Sequence, residues 1–340
     1  MIKVGILGIT GAFGGELSRY LIHHPEFRLT EVSGRSEAGK KLADVFPYLS
    51  EYDLTIAPEI GDADLYFSAL PHKSSAELCA PLVNAGKKVV DCSADFRLHD
   101  LATYEETYEV KHPNPELLPQ AVYGLTELHK AEVAASRLIG NPGCYPTAAI
   151  LALAPAFCSG IAHPNVVVDA KSGVSGAGRT PSQRTNYIEI NENTVPYSYE
   201  GHRHEPEMTQ ELNALRPRDA EQVRTTFVAQ LVPMTRGILA CCYTQAVRST
   251  STKQLRDLYR DFYAEHPFVR IVERPPETKW TYGNNMVFIN PYFHEKSGNL
   301  VLMAVEDNLG KGAAGQAIQN ANLMCGLPET CGLDIGAVYP

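Results

Sequence analysis

Residues 1–15 read MIKVGILGITGAFGG, and this stretch decides the first half of the fold. Residues 3–7 form an apolar run of strand length, and Gly8, Gly11 and Gly14 follow at once in a G-x-x-G-x-x-G array. Glycines between a strand and a helix let backbone approach a pyrophosphate, which rests on the N–H groups of the helix N-terminus. The spacing is not the usual G-x-G-x-x-G, so the position straight after an opening strand carries the argument for a dinucleotide site. The plainer alternative is a tight strand-to-helix turn without a ligand. The apolar run meets glycines and no small-residue cleavage site, so it does not read as a signal peptide.

Outward from this loop, strand candidates at 29–33, 65–69 and 88–92 alternate with helical patterns at 15–23 and 74–85. Strands alternating with helices predict parallel β-α-β units in a doubly wound α/β sheet. An NAD site would place Asp or Glu at the end of the second strand to hold the ribose 2′-OH. That place holds Ser33, Gly34, Arg35 and Ser36. A guanidinium flanked by hydroxyls suits a 2′-phosphate, so NADP is the expected cofactor. Thr10, Ala12 and Phe13 join the loop glycines as candidate cofactor contacts.

Beyond residue 150 the pattern changes. Segments 166–170, 226–232, 237–247 and 286–291 are β-rich, with helices expected at 207–215 and 253–266. This mixture predicts an α+β domain around one sheet. Residues 310–325 return to an Ala/Gly/Gln/Asn-rich helix that packs back on the first domain. The expected division is a Rossmann-type NADP-binding domain over residues 1–145 plus 308–340, and a catalytic and dimerisation domain over 146–307.

Composition narrows the partners. The chain has 340 residues, a formal net charge of −9 and no block of Lys or Arg, which argues against nucleic acid or an anionic membrane surface. No run of about 18 apolar residues is present. Eight irregularly spaced cysteines with no C-x-x-C pair suggest neither a disulfide framework nor a zinc knuckle, and fit a reducing cytosol.

Residues 139–155, IGNPGCYPTAAILALAP, carry the chemistry. Gly-Asn-Pro-Gly forces a turn, Pro146 suits a first helical turn, and residues 147–156 are apolar and helical. Cys144 then stands at a helix N-terminus, where the dipole and unpaired N–H groups favour a thiolate. The other seven cysteines read as inert. A proton partner is available in Gly201-His-Arg-His-Glu-Pro-Glu207, where His202 and His204 would face one side of an extended segment. A metal site is the weaker reading of this pair, since no third ligand stands at suitable spacing.

Residues 139–155 resemble, position by position, the active-site signature of the N-acetyl-γ-glutamyl-phosphate reductases, relatives of the aspartate-semialdehyde dehydrogenases. The glycine loop, 93–97 (SADFR), 121–125 (AVYGL), 171–179 (KSGVSGAGR), 202–207 (HRHEPE) and 307–316 (DNLGKGAAGQ) match in order along the chain. Gly-Cys-Tyr-Pro-Thr is similar to this branch rather than to the semialdehyde branch, where Asn usually precedes the cysteine. Ala12-Phe13 replace a frequent Tyr-Thr, and Gly34 replaces a common Ser. The resemblance implies that Cys144 attacks a γ-acyl phosphate in arginine biosynthesis, that NADPH reduces the thioester, and that N-acetylglutamate semialdehyde is released. It implies His202 as acid/base with His204 next in line, Arg97 and Lys171 as substrate cations, and Ser172, Gly173 and Asn308 as further cofactor contacts. It also implies a homodimer or homotetramer. Two rivals stay open: a reductase of the one-carbon-longer aminoadipyl phosphate of lysine biosynthesis, and a catalytically dead NADP-sensing regulator.

Overall fold

The computed structural model describes residues 1–339, which divide into two units: residues 1–143 with 313–335, and residues 144–312 with 336–339. In the first unit, β1 (Ile2–Leu7), β2 (Phe27–Ser33), β3 (Leu65–Ser68), β4 (Lys88–Asp91), β5 (Ala121–Tyr123) and β6 (Leu138–Gly140) form one six-stranded sheet. Its order is β2-β1-β3-β4-β6-β5, and every neighbouring pair is parallel. The crossovers carry α1 (Ala12–Leu21), α2 (Leu42–Val45), α3 (Ser75–Asn84), α4 (Leu101–Tyr108) and α5 (Thr126–Ala135). This is the doubly wound α/β arrangement that the alternating pattern predicts. β3 is buried throughout, as parallel strands covered on both faces must be. The chain moves to one side of β1 for β2 and to the other for β3, which opens a crevice beyond their carboxyl ends.

The second unit begins with α6 (Cys144–Cys158), in which every residue from Tyr145 to Phe157 is buried. A helix apolar all round has to be a core element. Then follow β7 (Asn165–Ser172), α7 (Tyr187–Ile190), β8 (Val195–Tyr197), α8 (Glu205–Ala214), β9 (Arg224–Leu231) and β10 (Ile238–Gln245). The unit continues with α9 (Thr252–Phe262), β11 (Val269–Ile271), β12 (Val287–His294) and β13 (Asn299–Glu306). The seven strands form a mixed sheet in the order β11-β12-β13-β10-β7-β9-β8. Helices α6, α8 and α9 pack on one face of it.

The other face is partly open. Val167 pairs with Tyr243, Tyr243 with Val301, and Val301 with Tyr292, so these four side chains form one row across β7, β10, β13 and β12. Val167, Tyr243 and Tyr292 are 44%, 37% and 41% exposed, which is unusual for large apolar side chains in register.

The chain returns to the first unit in α10 (Gly315–Met324), preceded by a π-helical turn at Gly310–Ala314. Helix α10 packs on α5 and α1, and its Asn320 accepts from the Thr126 hydroxyl and donates to the Gly124 carbonyl. The returning segment is shorter than the expected 308–340. Residues 308–312 stay with the second unit, as do 336–339, where the Val338 N–H donates to the Tyr282 carbonyl. No helix of the described residues is long and apolar enough to cross a membrane.

Candidate active site

The turn ahead of Cys144 is fixed from several directions. The Asn141 N–H donates to the Asp91 carbonyl at 2.7 Å, and its carbonyl accepts from Arg97 Nε at 2.6 Å. Its side chain donates to the Ala313 carbonyl at 3.2 Å and accepts from Asn320 Nδ2 at 3.0 Å. Saturating the polar groups of a buried residue removes alternative conformations, because each would cost an unmade hydrogen bond. Arg97, only 8% exposed, also donates from Nη2 to the Cys92 carbonyl. Its guanidinium is therefore engaged with backbone at the sheet's carboxyl edge.

Cys144 is the first residue of α6 and lines a cavity of about 770 Å³ together with Tyr145, Ser172, Tyr197, His202 and His204. Here the structure brings the cysteine together with a histidine pair that lies far from it in sequence. The two imidazoles stand 4.8 Å apart, and His202 meets the edges of Tyr145, Tyr197 and Phe227. Backbone N–H of His204 donates to His202 Nδ1 at 3.0 Å. That bond assigns the neutral tautomer with its proton on Nε2. Burial, reinforced by the nearby Arg203 charge, lowers the His202 pKa to about 4, so the ring is neutral near pH 7. The Tyr197 hydroxyl donates to Tyr145 Oη at 3.1 Å, and Tyr145 donates to the Gln230 carbonyl at 3.2 Å. Neither tyrosine was legible from spacing. Burial pushes the Tyr145 phenol up, as it does the thiols of Cys79, Cys92 and Cys242.

A second cavity, of about 450 Å³, lies in the crevice of the first unit, lined by Gly8, Thr10, Gly11, Ser33, Arg35 and Ser36 among others. Gly8 has φ +78°, and a Cβ there would come 2.9 Å from the Ala69 carbonyl oxygen. At Gly14 a Cβ would meet the Ile9 carbonyl oxygen at 2.3 Å, so only glycine lets α1 close on the loop. Gly11 is the N-cap of α1, and no side chain caps it. Its first turn therefore presents N–H groups toward an anion. These residues fit a dinucleotide phosphate, with Arg35 between hydroxyls for a 2′-phosphate. Ala12 and Phe13 are the first helical residues and do not line this cavity.

The remaining expected contacts fall in the second unit. Ser172 lines the cysteine cavity, whereas its neighbour Lys171 does not. Alternation along β7 turns Lys171 to the open face of the sheet, where it pairs with Asp169 at 2.5 Å. Lys171, expected from the resemblance as a substrate cation, therefore stands on the sheet face away from the Cys144 cavity. Gly173 packs against backbone of Thr235 and Arg236 and does not line the cavity either. Asn308 accepts from the Gly237 N–H at 2.8 Å and donates to the Ser175 hydroxyl at 3.0 Å. Beside it, the buried Asp307 carboxylate takes Arg236 Nε, the Gly283 N–H and the Leu309 N–H, which fixes the turn before the π-helix. Among the described residues, no group of three or more His, Cys, Asp or Glu side chains is placed to hold a metal.

An NAD(P)-type crevice on one unit and a cysteine–histidine cavity on the other define a class. The family model of the semialdehyde dehydrogenase NAD-binding domain matches residues 3–136, and that of the semialdehyde dehydrogenase dimerisation domain matches residues 144–308. Among solved structures, aspartate semialdehyde dehydrogenase II from Vibrio cholerae shares the fold, with a TM-score of 0.69 and 18% identity over 96% of this chain and 98% of its own. Sequence relatives are more specific. The chain is 48% identical, over 99% of both lengths, to a protein of Dehalococcoides mccartyi named N-acetyl-gamma-glutamyl-phosphate reductase. It is 44% identical, over 100% of both lengths, to one of Moorella thermoacetica with the same name. The chain belongs to the N-acetyl-γ-glutamyl-phosphate reductase family.

Proposed function

We propose that this protein reduces N-acetyl-γ-glutamyl phosphate to N-acetylglutamate 5-semialdehyde, a step of arginine biosynthesis, with release of phosphate, through a thioester on Cys144. The observation that carries this reading is Cys144 at the head of α6 in one cavity with His202 and His204. The Cys144 sulfur attacks the acyl carbon, the C–S bond forms and the C–O bond to phosphate breaks. A helix N-terminus favours the anionic sulfur, so the thiolate does not depend on a strong neighbouring base. NADPH, when bound through Gly8, Thr10, Gly11, Ser33, Arg35 and Ser36, supplies the hydride that reduces the acyl carbon.

His202 acts as a donor. With Nδ1 occupied by the His204 amide, the proton on Nε2 is the one available to steady the oxygen that becomes negative at the acyl carbon. Collapse of that oxygen to the aldehyde returns the sulfur as thiolate, a good leaving group. Arg97 holds the Asn141 carbonyl ahead of the nucleophile, and this backbone role suits its geometry better than direct contact with phosphate. The glutamyl name of the relatives favours the shorter substrate over the aminoadipyl one. A complete Cys144–His202–His204 cavity favours an enzyme over a sensor.

The open row Val167–Tyr243–Val301–Tyr292 is the surface through which two copies pair, in a domain matched by a dimerisation model. Eight free cysteines suit a reducing cytosol. The test of the reaction is the reverse assay. N-acetylglutamate semialdehyde and NADP should give NADPH beyond one equivalent per chain only when phosphate or arsenate is present, and NADP binding without such turnover would reject the reading.

A further inference from the structure

The cavity around Cys144 holds more charge than the sulfur chemistry uses. Arg184 and Arg203 both line it, against the single carboxylate of Glu189. A γ-phosphorylated N-acetyl amino acid is anionic at both ends, with the phosphate at the reacting carbon and a free α-carboxylate three carbons away. The two guanidiniums stand in different places. Arg203 lies between the two histidines in sequence, and its charge lowers the proton affinity of His202, so it belongs to the reacting end. Arg184 sits on the 3-10 turn Gln183–Thr185, with its guanidinium 5.5 Å from the centre of the Tyr197 ring. Tyr197 in turn bonds Tyr145, the residue after Cys144. The order Cys144, Tyr145, Tyr197, Arg184 thus runs from the nucleophile to a cation stacked on an aromatic face.

Resting on the reaction proposed above, we infer that Arg184 is the specificity residue that binds the substrate's α-carboxylate. An arginine can stack on a ring and still present its planar N–H fork edgewise to a carboxylate, which a lysine cannot reproduce bidentately. Among the described residues, no carboxylate forms an ion pair with Arg184. The guanidinium is exposed to the cavity rather than used to hold the turn. Stacking on Tyr197 restricts its rotamers before substrate arrives, which reduces the ordering cost on binding.

The test compares two aldehydes in the reverse direction, with phosphate and NADP. One is N-acetylglutamate semialdehyde, and the other is acetamidobutanal, the same molecule without its carboxylate. Wild-type protein should prefer the first in kcat/KM on the order of 10- to 100-fold, the value of a charge-assisted pair. In Arg184→Gln that ratio should collapse toward unity, with the loss appearing in KM, and Arg184→Lys should restore part of it. If Arg184→Gln lowers both aldehydes in parallel, the residue only supports the loop and the inference is wrong. It is equally wrong if the ratio collapses in Arg203→Gln instead. Wild-type protein that turns over neither aldehyde overturns the reaction itself, and the inference falls with it.

Discussion

Gly312 backs directly onto Cys144: a Cβ at position 312 would stand 2.9 Å from the Cys144 Cβ and 2.6 Å from Oε1 of the buried Glu306. The π-helical turn Gly310–Ala314 therefore forms the wall behind the nucleophile, and π-turns of this kind recur at functional sites. Neither neighbour has room to yield, since Glu306 is 0% exposed and Cys144 begins a fully packed helix. Gly312→Ala should destabilise the protein by about 1–3 kcal/mol through overpacking. It should also lower kcat more than it raises KM, because it moves the attacking sulfur. Thermal unfolding and steady-state kinetics on the same preparation check both effects.

His202 gives a pH prediction with a definite sign. Its folded pKa is lowered to about 4, by burial first and by Arg203 second, from the ordinary value of 6.5. Between these two values the unfolded chain binds a proton at this position and the folded chain does not, so folding is penalised as pH falls through the window. Above pH 6.5 the group contributes no pH dependence. Unfolding midpoints measured from pH 7 down to 4 should fall less steeply for His202→Gln than for the native protein. At pH 7, the same variant should lose roughly 10²–10⁴-fold in kcat, the range for removal of a positioned proton donor.

The proposed role of Arg35 is to select the dinucleotide. It lines the crevice with Ser33 and Ser36, where an NAD site would carry a carboxylate. Arg35→Ala should raise KM for NADPH by about 10- to 100-fold, the worth of one charge-assisted contact, and leave KM for NADH nearly unchanged. A parallel rise for both cofactors would show instead that the residue shapes the loop.

The open sheet face predicts assembly. Tyr243 pairs in register with Val167 and Val301, and it is 37% exposed. Tyr243→Asp places a charge at the centre of that row and should shift the protein toward monomer in sedimentation. Lys171→Gln lies on the same face, so its kcat/KM should stay within about threefold of wild type. A large loss of kcat/KM in Lys171→Gln with the dimer intact would return that residue to the substrate cavity.

The legibility of this sequence follows the range of its interactions. β1, the glycine loop and α1 are contiguous, and backbone conformation there depends on residues within one turn, so 3–14 could be read directly. Cys144 was legible because Gly-Asn-Pro-Gly and an apolar helix are local signals. Strands β5, β6, β8 and β11 are three residues each, too short for a period to declare itself. The eight-residue β13 was also absent from the expectation, although 299–306 alternates well. The placement of Lys171 was hidden for a different reason. A motif names a neighbourhood, but strand alternation sends Ser172 to the cavity and Lys171 to the opposite face. Tyr197 ends the three-residue β8 and Arg184 sits on a 3-10 turn, and the partners of both are set by the tertiary fold, while Gly312 matters only because Cys144 arrives beside it.

The most direct test of the account is to trap the thioester. Protein incubated with N-acetylglutamate semialdehyde and NADP, without phosphate, should accumulate one N-acetylglutamyl group per chain. Peptide mapping by mass spectrometry should find it on the peptide containing Cys144, and added phosphate should discharge it. An acyl group on another residue, or NADPH formation in Cys144→Ser at the native rate, would contradict the central claim.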